Sequence, residues 1–167
     1  MEQATASKNG TRLLTFIMNL AAFCFFISLA IHVAALLGVI LSRHAIFMHV
    51  GIFVVFPPAV FVARRLSKDA PRKDFWKITL RNCPPWMRVA FKVIFGYAII
   101  NFIIFAIATR HVPKSHYSSK IISLADFKVF SGHWMAFYFA AFAILYSATH
   151  ERKSPQASPA SDEGLSG

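Results

Sequence analysis

Three histidines, His32, His49 and His133, stand inside apolar runs of the chain. An imidazole held away from water must find a hydrogen-bond partner, a metal or a proton path. Two neutral imidazoles facing each other at matching depth can ligate the iron of a b-type haem. Only one haem is allowed by three such rings, held by His49 and His133 or with His32 in place of either. The same rings can instead hydrogen-bond from helix to helix, which needs no cofactor. A third chemistry is transport by a histidine relay, but coupled carriers usually keep carboxylates inside the membrane. No Asp or Glu lies in any of the apolar runs.

Other chemistries find less to work with. Of the other four histidines, the three expected in the outer loops, His44, His111 and His116, have no cysteine or acidic neighbour at metal-ligand spacing. Cys24 and Cys83 are too few and too differently surrounded to form a disulfide framework, and read as reduced thiols. Neither a glycine-rich phosphate loop, a nucleophile elbow, an HExxH pair nor paired carboxylates is present, so a soluble type of enzyme is disfavoured.

The elements that must position these residues follow from charge spacing. Lys, Arg, Asp and Glu are missing between Arg12 and Arg43, Arg43 and Arg64, Lys92 and Arg110, and Lys128 and Glu151. A membrane-crossing helix needs roughly 20 mostly apolar residues, with about 17 as a lower limit. All four runs qualify, the third with help from Arg88 and Lys92 if their long stems carry the charges to the headgroups. The expectation is an all-α membrane protein, a four-helix transmembrane bundle in up-down-up-down order, with spans near 13–41, 45–63, 88–109 and 129–149. The composition agrees, since 56% of the 167 residues are hydrophobic and 18 are phenylalanine. Ser28-Leu29-Ala30 loosely resembles a signal cleavage site, but the apolar run continues well beyond it, so the first helix reads as uncleaved.

Basic residues give the orientation. Lys8, Arg12, Arg64, Arg65, Lys68, Arg72, Lys73, Lys77, Arg81, Arg88, Lys92, Arg152 and Lys153 fall on one side, and Arg43, Arg110, Lys114, Lys120 and Lys128 on the other, 13 against 5. The positive-inside rule puts both termini and the loop 64–87 in the cytoplasm of a cell membrane, plasma or inner. Residues 1–11 read as a flexible N-terminus and 151–167 as a disordered tail. The net charge of +11 meets anionic lipid headgroups in this setting; nucleic acid is not an expected partner. Within the loop, a short interfacial helix is expected between Pro71 and Arg81. It carries Lys73, Lys77 and Arg81 along one face, holds Trp76 and Trp86 at headgroup level, and ends at Pro84-Pro85. In the second span, Pro57-Pro58 is expected to kink the helix and to leave the carbonyls of Phe53 and Val54 without their usual donors.

Small residues mark the expected packing sides. Ala136, Ala140, Ala143 and Ser147 recur at offsets of 0, 4, 7 and 11, one side of a helix, and His133 continues that side. Ala21, Ser28, His32 and Ala35 make a similar side in the first span. Asn101, four residues after Tyr97, needs an interhelical hydrogen bond. Taken together, the residues fit an anchor, accessory or lipid-contacting membrane subunit, with a membrane-protein partner or further copies of itself. A haem electron-transfer protein and a small transporter are the alternatives.

Overall fold

The computed structural model describes residues 2–39, 43–110 and 124–150, and the regular structure among them is helical, with no strand. Among these residues five α-helices occur in chain order: α1 (Glu2–Leu36), α2 (Phe47–Leu66), α3 (Phe75–Thr79), α4 (Pro85–Thr109) and α5 (Leu124–Thr149). Short 3₁₀ turns, Arg43–Ile46 and Arg72–Asp74, lead into α2 and α3. Four stretches, Gly10–Leu36, Phe47–Leu66, Pro85–Ile107 and Lys128–Thr149, are long and apolar enough to cross a membrane. At 1.5 Å per residue even the shortest is about 30 Å long, the thickness of the hydrocarbon layer.

Several boundaries differ from the sequence expectation. Helix α1 begins at Glu2, inside the stretch expected to be flexible, and stops at Leu36 instead of continuing to about residue 41. The stop is made by Gly38 at φ 80°, a left-handed conformation that glycine adopts without steric cost. Gly38 N donates to Ala35 O at 3.2 Å and Val39 N to Ala34 O at 3.0 Å, the paired bonds of a Schellman cap. In place of one helix from Pro71 to Arg81, the loop holds a 3₁₀ turn followed by the five-residue α3. Pro85 also opens α4: it takes the first helical position, where a missing N–H costs nothing, and Pro84 before it is extended. Helix α2 continues through Pro57 and Pro58. Its buried line is Ile52, Val55, Ala59 and Val62, and Pro57 lies on the exposed flank. The tail 151–167 and the loop carrying His111 and His116 lie outside the described residues.

Helix α5 is the core of the molecule. It meets α1, α2 and α4, and α1 also touches α2. Its small and its bulky residues are buried alike: Ala136, Ala140, Ala143 and Ser147, but also Trp134, Tyr138, Phe139 and Leu145. A single small-residue seam was the sequence expectation; being surrounded on three sides, α5 buries most of its circumference. The other helices bury narrow stripes, Ala21, Ser28, His32 and Ala35 in α1 and Met87, Phe91 and Ala98 in α4. Their outer surfaces carry Phe16, Phe23, Phe53, Phe61, Ile103, Ile104 and Ile107 in the open. So much contiguous exposed hydrocarbon is what a lipid-facing surface requires.

Candidate functional site

Four polar side chains of the apolar helices, His32, Tyr97, Asn101 and Ser131, meet at one end of the bundle. Alanine and serine on the buried stripe of α1 bring its backbone close to α5, which sets His32 between α4 and α5. His32 is buried, with Nδ1 2.8 Å from Ser131 Oγ and Nε2 2.6 Å from Tyr97 Oη. Ser131 Oγ is also 3.4 Å from the carbonyl of Lys128. A neutral imidazole has one donor and one acceptor, so the neighbours decide the tautomer. Tyr97 donates to Nε2, Nδ1–H donates to Ser131, and Ser131 donates to the Lys128 carbonyl. Every hydrogen is then used. The opposite tautomer would leave the tyrosine hydrogen unplaced and take the serine hydrogen away from the carbonyl.

Asn101 completes this cluster. Its Nδ2 donates to the same Lys128 carbonyl at 2.9 Å. Tyr97 and Asn101 reach α5 together because a four-residue offset puts them on one side of α4. Gly132 makes the approach possible: a Cβ there would lie 2.8 Å from Asn101 Nδ2 and 3.7 Å from His32 Cε1.

The other two histidines turn elsewhere. Trp134 Nε1 donates to His49 Nδ1 at 3.1 Å, which puts the His49 hydrogen on Nε2. The His49 ring is exposed and packs edge-on against Phe53 and Phe130. Nearby, the Tyr138 hydroxyl donates to the Met48 carbonyl and occupies the space that a methyl at Gly51 would need. His133 lies on a different side of α5, where Nδ1–H donates to Val129 O at 2.9 Å and the ring meets Phe102 edge-on at 5.4 Å. His44, exposed ahead of α2, stacks on Phe47.

These arrangements do not fit a haem held by two imidazoles. Ligation needs two facing lone pairs; His32 has both nitrogens engaged, and the Nε2 of His49 carries a hydrogen. The proposed pair, His49 and His133, is not brought ring to ring, because Trp134 and His133, one residue apart on α5, point about 100° from each other. Among the described residues no group of three or more His, Cys, Asp or Glu could hold a metal ion.

At the opposite end the linker folds back on α5. Asn82 Nδ2 donates to Ser147 O at 2.9 Å, its backbone N to Ser147 Oγ at 3.3 Å, and Cys83 Sγ to Ala143 O at 3.2 Å. Burial pushes the Cys83 thiol up to about 11, against the opposing pull of Arg88 and of hydrogen bonds to Ser147. Lys73, Lys77 and Arg81 are all exposed, as are Trp76 and Trp86. Trp76 lies across α4, 4.9 Å from the Phe91 ring and 5.0 Å from Phe75.

Ser131, Gly132, the Lys128 carbonyl and the Trp134–His49 bond were beyond sequence reasoning, since each gains its role from a partner far along the chain. The small pair Ser131-Gly132 beside a histidine was the one available signal. Compared with protein-family models, with curated proteins and with solved structures, the chain matches none of them.

Proposed function

We infer that the chain is a small multi-pass protein of the cell membrane, with an anchoring, accessory or lipid-contacting role, in which His32, His49, Tyr97 and Asn101 join its own helices. The observation that carries this reading is His32, with both ring nitrogens spent on neighbouring helices and none left for a ligand. An up-down-up-down order is supported by the contacts along α5. His32 pairs with Ser131 near one end of α5, and Met18 Sδ lies 3.6 Å from Thr149 Oγ1 near the other, so α1 runs against α5. The cytoplasmic side is then the one with the surplus of Lys and Arg, including both termini and the linker after α2. There Lys73, Lys77 and Arg81 meet anionic headgroups, and Trp76 and Trp86 sit at the interface. Outward helix surfaces are left to lipid, a membrane-protein partner or further copies of the chain.

The test is a spectrum. Expressed with ample haem and purified from alkali-washed membranes, the protein will stay with the membrane and lack a Soret band. A Soret band abolished by His49→Phe or His133→Phe would overturn the reading in favour of electron transfer.

A further inference from the structure

Arg88 and Lys92 stand one turn apart on α4, inside its apolar stretch Pro85–Ile107, and both are exposed. Helix contacts give their depth. Asn82 bonds to Ser147 and Asn101 to the Lys128 carbonyl, so α4 runs against α5, and Lys92, ten residues after Asn82, comes about half-way along the α5 span. Trp76 is held at the same level, its ring 4.9 Å from that of Phe91 and 6.2 Å from that of Phe95.

On the other sides of the bundle the first cation lies nearer the loop end. Thr149 meets Met18, six residues after Arg12, and Trp134 meets His49, fifteen residues before Arg64. At 1.5 Å per residue, both arginines lie at least about 10 Å further toward the loop end than Lys92. Around the level of Lys92, α1 and α2 expose Phe23, Phe26 and Phe53 instead. The apolar belt therefore ends sooner beside α4, by a step longer than the four methylenes of a lysine can span.

Charge decides what fills this step. No Asp or Glu lies between Asp74 and Asp126 in the chain, and among the described residues neither Arg88 nor Lys92 has a carboxylate partner. A cation set against acyl chains alone is costly, so an anion must come to it. A lipid phosphate can do so: a guanidinium binds it through parallel hydrogen bonds, and an indole such as Trp76 favours the headgroup level.

We propose that α3 and the first two turns of α4 hold one anionic phospholipid, its phosphate on Arg88 and Lys92 beside Trp76, drawn closer to the bilayer centre than the headgroups around α1 and α2. This rests on the membrane reading of the chain and assigns, within its basic side, one site at one depth.

The test is native mass spectrometry of the full chain released from nanodiscs made of equal parts phosphatidylglycerol and phosphatidylcholine. One retained phosphatidylglycerol is expected, favoured at least about fivefold over phosphatidylcholine, the effect of a single basic residue near an anionic surface. Arg88→Gln combined with Lys92→Gln should remove that preference. Arg64→Gln combined with Arg65→Gln, which deletes the same charge nearer the loop end, should keep it. Excess inorganic phosphate should leave the lipid in place. Equal retention of the two lipids would overturn the proposal, and so would equal losses in the two double variants, which mean diffuse attraction without a site. Displacement by phosphate would overturn the lipid assignment in favour of a soluble anion. Each of these results leaves the membrane reading standing while the protein stays in alkali-washed membranes; its release into the wash would bring down both.

Discussion

Without its imidazole, position 32 would leave the Tyr97 hydroxyl without its acceptor and take the ring N–H away from Ser131, where no water can replace the lost bonds. His32→Leu should therefore destabilise the bundle by about 1–3 kcal/mol, measured by unfolding in graded SDS. A double-mutant cycle with Tyr97→Phe isolates the pair, and a coupling of about 0.6 kcal/mol, and at most about 1.7 kcal/mol, is expected, the mean and the maximum for interhelical bonds in lipid. No coupling would mean that the two side chains do not share a bond. Gly132→Ala should act on the same cluster from the other side, by pushing Asn101 off the Lys128 carbonyl, and should show coupling to Asn101→Leu. The inward direction of His32 was legible, because Ala21, Ser28 and Ala35 share its side of α1 and are buried with it. What His32 binds was not, since Ser131 lies 99 residues away and nothing local announces it.

At the scale of elements, the contrast between α5 and its neighbours sets the prediction. Ala140 and Ala143 are enclosed, so Leu at either position must overpack the core and cost about 1–3 kcal/mol. Ile103→Ala on the outer surface of α4 should change stability by less than about 0.5 kcal/mol. The linker adds a pH-dependent term. The Cys83 thiol ionises less readily in the fold, at about 11, than in the unfolded chain. The folded state therefore keeps its proton longer, and stability present at neutral pH is lost as pH rises through the unfolded value toward 11. Cys83→Ser should flatten that alkaline decline, and alkylation of Cys83 in the folded protein should stay slow until the pH passes about 10. Four apolar helices were readable from charge spacing alone. The early end of α1 was also written in the chain, as Gly38, but apolar residues on both sides hide a cap from a hydropathy reading. That α5 would be the enclosed helix was not readable, because its composition is no more apolar than that of α4 and only its three neighbours make it a core.

Among the described residues, α1, α2 and α4 face outward around α5, which does not, and the three tryptophans sample both situations. Trp134 is fully buried against its neighbours, while Trp76 and Trp86 are open at the loop end. Charge asymmetry argues for a cytoplasmic loop between α2 and α4, and a cysteine introduced at Lys68 should react with an impermeant maleimide only after the cell is opened. The enclosed position of α5 within a bilayer is the claim on which the reading of His32, His49 and His133 depends. Variants retaining one tryptophan each, reconstituted in vesicles of brominated lipid, test it directly. Trp134 emission should be the least quenched of the three by bromines at any depth, and should also resist aqueous acrylamide. Quenching of Trp134 by lipid as strong as that of Trp86 would put α5 on the lipid surface, and quenching by acrylamide would put it in water; either result contradicts the account.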